Sequence, residues 1–155
     1  MRLEYFQLID RIEAIDSVAG TIAARSQVPR QSTIFEGHFP GHPILPGALL
    51  VECMAQTAGH LILVLENFQR MPFLAQIESA KLRHFVEPGA LLAIEARLEH
   101  LGSGYAVTKA SVKSESAALA EAEIRFRCLP FPSPAMREQV LAHARGLGLD
   151  VPMRA

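Results

Sequence analysis

The sequence has no tryptophan, only two cysteines and few aromatic residues. The scarcity of aromatic side chains argues against a platform that stacks nucleic-acid bases. The formal net charge of −1 at pH 7 likewise argues against any nucleic-acid partner. Cys53 and Cys128 form neither a Cys-x-x-Cys pair nor a Cys/His ligand spacing, so we predict buried free thiols, no disulfide and no metal site.

The sequence also has no segment typical of a secretion signal or a membrane span. Acidic residues occur throughout residues 1–16, and the longest strongly apolar run, Leu61–Leu65, is short. We therefore expect a cytoplasmic protein. With 155 residues, half of them apolar, the chain suits one domain.

We place that domain at residues 1–130 and a C-terminal tail at residues 131–155. The segment "AMREQVLAHARGLG" predicts a short helix in this tail, although a frayed tail is equally compatible with it.

A long apolar helix is predicted at residues 47–66, directly after Pro46. Apolar side chains cover all its faces, which is typical of a buried helix. Alternating or mixed apolar patterns and turn residues predict strands around it, at residues 5–16, 21–29, 72–86, 91–101, 105–116 and 118–130. One buried helix followed by four antiparallel strands indicates an α+β fold, in which an antiparallel sheet wraps around the central helix.

The stretch before this helix, "FEGHFPGHPILPG", is unusually stiff. Three prolines restrict its backbone and force the residues before them into extended conformations. His38 is therefore held in a fixed position, as a catalytic group requires. A purely structural loop can need the same stiffness, so the loop alone does not establish catalysis.

The helix itself carries one carboxylate, Glu52, five residues after Gly47. This spacing is about 7–8 Å along the axis. Burial raises the pKa of a carboxyl group and favours its protonated form, and Gln56 at i+4 can hydrogen-bond to it. Gly47 places a backbone N–H at the helix start, where an oxyanion is attracted. A plain helical turn at Gly47 and an ion-paired Glu52 are the structural alternatives.

A neutral base, a protonated acid and an oxyanion site suit the dehydration of a 3-hydroxyacyl thioester. His38 would remove a proton next to the carbonyl, Gly47 would hold the carbonyl oxygen, and Glu52 would protonate the departing hydroxyl group. The reaction needs no metal or organic cofactor. These residue types by themselves leave other thioester reactions open.

The run "GHFPGHPILPGALLVECMAQTAG" resembles the signature of FabZ-type 3-hydroxyacyl-[acyl-carrier-protein] dehydratases. "FQLIDRI" and "AKLRHFVEPG" resemble two further strands of that family, and the likeness covers about residues 5–128. It implies a hot-dog fold and dehydration of (3R)-hydroxyacyl-[acyl-carrier-protein] to trans-2-enoyl-[acyl-carrier-protein] in fatty acid biosynthesis.

The resemblance also implies a homodimer, with further assembly to a hexamer, and active sites at the dimer interface. His38 would act with Glu52 of the partner subunit, while Gly47 binds the carbonyl and Gln56 positions Glu52. The partner implied is an acyl carrier protein with a phosphopantetheine-linked acyl chain. Gly37 and Glu52 favour the branch without isomerase activity.

Three stretches, "EYFQLIDRIE", "EGHFPGHP" and "GSGYAVTKA", are similar to dehydratases of very-long-chain fatty acid synthesis for lipid A. The alternatives are a hot-dog acyl thioesterase, an (R)-specific enoyl hydratase and a non-catalytic subunit that binds acyl carrier protein. We assign no catalytic role to the remaining histidines, and interpret His60 as a core or interface residue. A basic patch of Lys81, Arg83, Arg125 and Arg127 could steer an acidic carrier, although solvated strand faces are the simpler interpretation.

Overall fold

A single antiparallel sheet of six strands wraps around one long helix in a computed structural model that describes residues 1–150. The last residues of the predicted tail, 151–155, lie outside the described part. The elements, in chain order, are a 3-10 turn at Leu3–Tyr5, β1 (Arg11–Asp16), β2 (Thr21–Gln27), α1 (Thr33–Gly37), α2 (Gly47–Leu65), β3 (Arg70–Leu82), β4 (Leu91–Gly102), β5 (Tyr105–Lys113), β6 (Ala118–Pro130) and α3 (Pro134–Gly146). The predicted α+β architecture is confirmed.

The central helix α2 begins at Gly47, as predicted, and ends at Leu65, one residue before the predicted end. Most of its side chains are buried, including Leu50, Met54 and Leu61. By length and composition α2 could cross a membrane, with a mean hydropathy of 1.7, but 67% of that segment is buried inside the fold. Its apolar character is therefore accounted for by its position in the core.

Strands β4, β5 and β6 show the alternation expected of a sheet that packs on one side only. Their even-numbered residues point to the core, as Ile94, Val112 and Ile124 illustrate. The sheet order is β1-β2-β4-β5-β6-β3, so β3 pairs with β6 and not with its neighbour in sequence, β4. The sequence predicts that the four strands after α2 form a meander, each beside the next, and this is wrong for β3. Of these four strands, β4, β5 and β6 follow one another in space.

Strand β3 occupies one edge of the sheet and is thirteen residues long. Four of its large apolar side chains are between 39% and 52% exposed, namely Phe73, Leu74, Ile77 and Leu82. A long edge strand with exposed apolar side chains is a template for pairing with another chain. The single chain therefore leaves a surface suited to an interface.

Two short helical elements are absent from the sequence predictions. Of the predicted strand at residues 5–16, only Arg11–Asp16 forms a strand, and a 3-10 turn at Leu3–Tyr5 lies before it. Helix α1 occurs just before the stiff loop, where Ser32 Oγ accepts a hydrogen bond from the Ile34 backbone N–H at 3.2 Å. Ser32 is a favourable N-cap, but a five-residue helix is too short to show a periodic apolar pattern.

The tail forms helix α3, which packs on the domain. Leu141, Ala144, Leu147 and Leu149 are buried. At one end Arg137 Nε donates a 2.7 Å hydrogen bond to the carbonyl oxygen of Phe68. Beyond the other end, the carbonyl oxygen of Leu147 accepts a 2.8 Å hydrogen bond from the N–H of Ile12 in β1. The described part of the tail is therefore docked at both ends.

Candidate active site

Glu52 and Gln56 form the centre of the candidate site, one turn apart on α2. The Gln56 amide Nε2 donates to Glu52 Oε1 at 3.0 Å and to the Phe6 carbonyl oxygen at 2.9 Å. Gln56 Oε1 accepts a 3.1 Å hydrogen bond from the Leu8 backbone N–H. The N-terminal segment thus fixes the orientation of Gln56, and Gln56 in turn holds the carboxyl group of Glu52.

A cavity of about 320 Å³ adjoins this pair. Its walls come from α2, β3, β6, α3 and the N-terminal segment, and they include the apolar side chains of Phe6, Leu63, Met71, Leu74 and Phe126. Within the single chain Glu52 is only partly buried, whereas the sequence predicts its enclosure in the core. The carboxyl group lies at the edge of the core because its face of α2 borders this cavity.

Gly47 is the first residue of α2, and no side chain caps this helix terminus. A Cβ atom on Gly47 would lie 2.4 Å from Leu82 Cδ1, which is the flexible end of a half-exposed side chain. A side chain at position 47 would therefore crowd the end of β3. Glycine leaves room for a ligand atom to approach the N-terminus of α2, as the predicted oxyanion role of its N–H requires.

His38 directly follows α1 and is held by its own loop. Its ring Nδ1 lies 3.0 Å from the carbonyl oxygen of Ile44, and the His38 backbone N–H donates to the Ile34 carbonyl oxygen at 3.0 Å. A carbonyl oxygen only accepts, so Nδ1 carries the hydrogen of the neutral ring. In the neutral ring with this tautomer, Nε2 carries no hydrogen, as a general base requires.

The structure does not unite the predicted residues in one cavity of one chain. Among residues 1–150, the lining of the cavity beside Glu52 includes Gln56 but neither His38 nor Gly47. The side chains of Glu52 and Gln56 belong to α2, whereas the ring of His38 is bonded to its own loop. The four predicted residues therefore form two groups in a single subunit.

Comparison with known proteins assigns the family. The FabA-like domain family matches residues 2–123. The chain belongs to the FabA-like family. A FabZ 3-hydroxyacyl-[acyl-carrier-protein] dehydratase of Fusobacterium nucleatum is 37% identical over 122 residues, which cover 78% of this chain and 85% of that relative. The same enzyme of Ruminiclostridium cellulolyticum is 39% identical over 124 residues, covering 78% and 85%. The FabZ-type resemblance is confirmed.

Solved structures agree on the hot-dog fold of this FabA-like chain. A conserved protein of Pseudomonas aeruginosa superposes with a TM-score of 0.63 at 20% identity, covering 81% of this chain and 91% of that protein. A hypothetical thioesterase of Streptococcus pneumoniae with coenzyme A gives 0.61 at 14% identity, covering 79% and 90%. At such identities the likeness concerns the fold alone, and the predicted hot-dog fold is confirmed.

His60 and His143 of the FabA-like chain also line the cavity beside Glu52. The sequence does not predict this position for either of them. His60 Nδ1 lies 2.7 Å from the Gln56 carbonyl oxygen, and its ring centroid lies 5.9 Å from that of His143 on α3. Burial lowers the pKa of His60, and the nearby His143 lowers it further. The spacing of two turns between Glu52 and His60 on α2 could have indicated from the sequence that both line one cavity. The contact of His60 with His143 on α3 could not be predicted, because the two residues are far apart in the chain.

The lowered pKa of His60 predicts acid sensitivity of the fold. In the unfolded chain this histidine binds a proton near its usual pKa of 6.5, while in the folded chain it resists protonation. The unfolded state therefore gains protons first, and stability falls as the pH drops below that value, by at most about 1.4 kcal/mol per pH unit. Denaturant unfolding at a series of pH values should show a smaller loss for His60→Asn.

The matched control for this prediction is His84→Asn, because His84 is exposed. It should keep the acid dependence of the wild-type protein. An equally steep loss of stability in His60→Asn and wild type would show that His60 is not the group responsible. His143 of α3 lies opposite His60, and Glu52 lines the same cavity further along α2. His143→Asn is therefore a useful second variant.

Two further predictions concern the basic patch at β3 and β6 and the two cysteines. Lys81 and Arg83 both pair with Glu121, and Arg125 pairs with Glu78. Three of the four residues of the predicted patch are therefore paired with acidic side chains, and Arg127 is exposed on β6. The solvated strand face is the better interpretation. Both cysteines are free and buried, as predicted. Burial, with a further contribution from Glu52, raises the pKa of Cys53 to about 12.

Proposed function

We propose that this protein dehydrates (3R)-hydroxyacyl-[acyl-carrier-protein] to trans-2-enoyl-[acyl-carrier-protein] in fatty acid biosynthesis. The observation that carries the proposal is the carboxyl group of Glu52, held by Gln56 at the edge of a largely apolar cavity. An acyl chain fits such a cavity, and the acid can reach a hydroxyl group near its start. Membership of the FabA-like family and the FabZ relatives support this substrate class.

In the proposed reaction His38 Nε2 takes the proton from C2 of the acyl group. The thioester carbonyl oxygen gains negative charge, which the N–H of Gly47 and the N-terminus of α2 stabilise. Glu52 donates its proton to the hydroxyl group on C3, the C3–O bond breaks, and water leaves. The electron pair of the broken C2–H bond forms the double bond. His38 then returns its proton through solvent to Glu52.

We propose that each site is shared by two subunits of a homodimer. Glu52 and Gln56 come from one chain and His38 from its partner, since His38 does not line the cavity beside Glu52 within residues 1–150. The exposed edge strand β3 provides the surface for pairing. The ordering of three such dimers into a hexamer is part of the same proposal.

A charged residue on β3 should disrupt this dimer. Ile77 is 45% exposed on the edge strand and does not line the cavity. Since a two-fold interface contains each residue twice, Ile77→Lys should weaken dimerisation by about a hundredfold or more and reduce activity with it. Light scattering coupled to size exclusion, measured across a dilution series, reports the mass.

Val18→Lys is the matched control for the edge strand. Val18 is also apolar and is 98% exposed, but it lies in the turn after β1. This variant should keep the mass and activity of the wild type. A dimer that survives Ile77→Lys with unchanged affinity would exclude β3 as the interface.

The reaction itself is tested with purified protein and a 3-hydroxyacyl group on an acyl carrier protein. The formation of the enoyl thioester, followed by its absorbance or by mass spectrometry, is the expected result. Release of a free thiol without enoyl product would identify a thioesterase instead. Activity confined to coenzyme A thioesters, with none on the carrier, would favour the (R)-specific enoyl hydratase.

The finer assignments remain proposals. The carrier is an acyl carrier protein with a phosphopantetheine-linked acyl chain, and the protein works in the cytoplasm without a metal or organic cofactor. The branch that serves very-long-chain fatty acids of lipid A stays a prediction from the three N-terminal and central sequence stretches. Its test is the chain-length series described below.

A further inference from the structure

Helix α3 forms one wall of the cavity that contains Glu52. Val140 and His143 of α3 line it together with Gly59, His60 and other residues of α2. The rings of His60 and His143 lie 5.9 Å apart, centroid to centroid, which shows where α3 meets the central helix. The cavity therefore has a side that the sheet and α2 do not provide.

This wall lies outside the part of the chain that defines the family. The FabA-like match ends at residue 123, whereas α3 spans Pro134–Gly146. The catalytic residues proposed above all lie inside the match. The side chains of α3 can therefore be replaced without changing the proposed catalytic acid, Glu52, or the proposed base, His38.

The wall is also fixed in place. Arg137 holds the start of α3 to the carbonyl of Phe68, and Leu147 bonds to Ile12 of β1 just past its end. The buried side chains of Leu141 and Ala144 pack beneath it. Because α3 is held at both ends and along its length, it does not move aside as a mobile loop does. It therefore limits the space available beside α2.

The distance along α2 relates the wall to the reacting carbon. Glu52 and His60 are eight residues apart, which is about 12 Å along the helix axis. A substrate whose C3 hydroxyl group is placed at Glu52 would have room for its acyl chain along the apolar walls of the cavity toward His60. A chain in that direction would reach the side chains of Val140 and His143, which line the same cavity.

We propose that α3 sets the acyl-chain length that this enzyme accepts, with Val140 and His143 as the specificity-determining residues. The inference rests on the proposed dehydratase function and names a determinant of its substrate. Removing side-chain volume from the wall makes room for a longer chain. Added volume shortens the chain that fits, because interiors are close-packed and overfilling costs free energy.

The experiment is a chain-length series of 3-hydroxyacyl thioesters on an acyl carrier protein, with kcat/KM measured for each length. Val140→Ala and His143→Ala should move the optimum to longer chains, with a gain of about fourfold in kcat/KM for each additional methylene group that becomes buried. Val140→Phe should move the optimum to shorter chains. His143 is exposed, so its replacement leaves the core intact.

Gln139→Ala is the matched control, since Gln139 is exposed on α3 and does not line the cavity. It should keep the wild-type profile. If wild type dehydrates these substrates but the three wall variants, Val140→Ala, His143→Ala and Val140→Phe, share its optimum, α3 is not the determinant. If kcat/KM changes by the same factor for substrates of every chain length in the variants, α3 has only a structural role, and the inference is likewise overturned. If wild type dehydrates no substrate of any length, the proposed function itself fails.

Discussion

Replacing His38 by alanine should lower kcat for dehydration by about 10²–10⁴-fold, the usual contribution of a general acid or base. The same loss is expected for Glu52→Gln, because an amide cannot supply the proton that the departing hydroxyl group needs. KM should change much less, since both groups act mainly in the transition state. Steady-state kinetics on a 3-hydroxyacyl carrier substrate measures both quantities.

The split between kcat and KM separates a catalytic role from a structural one. A folded variant that has lost only a catalytic group should show a large fall in kcat with little change in KM, whereas a misplaced substrate raises KM as well. His42→Ala is the matched control, because His42 lies in the same loop and is exposed. Unchanged dehydration in correctly folded His38→Ala or Glu52→Gln protein would remove that residue from the mechanism.

Mixing the two inactive variants should restore activity. In a dimer with shared sites, a heterodimer of His38→Ala and Glu52→Gln chains has one site with both defects and one site with neither. Random exchange places half the chains in heterodimers, so about a quarter of wild-type activity should return. The measurement is the rate before and after subunit exchange, with heterodimers verified by mass spectrometry of differently tagged chains.

The control for the mixture is His38→Ala protein combined with a chain that carries both substitutions. No heterodimer in that mixture contains an intact site, so it should remain inactive. Absence of recovery in the first mixture, despite verified heterodimers, would place His38 and Glu52 in the same subunit's site. Such a result contradicts the shared site while leaving the dehydration chemistry in place.

The sequence by itself determined the features that depend on neighbouring residues. Helix α2 was predictable because Pro46 and Gly47 mark its start and an apolar run of helical length follows. The strands β4–β6 show an alternation with a period of two, so their buried faces could be predicted as well. The hydrogen bond between Glu52 and Gln56 follows from a spacing of one helical turn.

Only the tertiary structure decided which distant segments meet. Strand β3 pairs with β6, which is far from it in the sequence, and the local residue pattern of β3 does not predict which strand it pairs with. The anchoring of Gln56 by Phe6 and Leu8, across about fifty residues of chain, is equally non-local. The same holds for the docking of α3, which brings His143 to the cavity. Residue periodicity reports the environment of a side chain, whereas its partner depends on how the whole core packs.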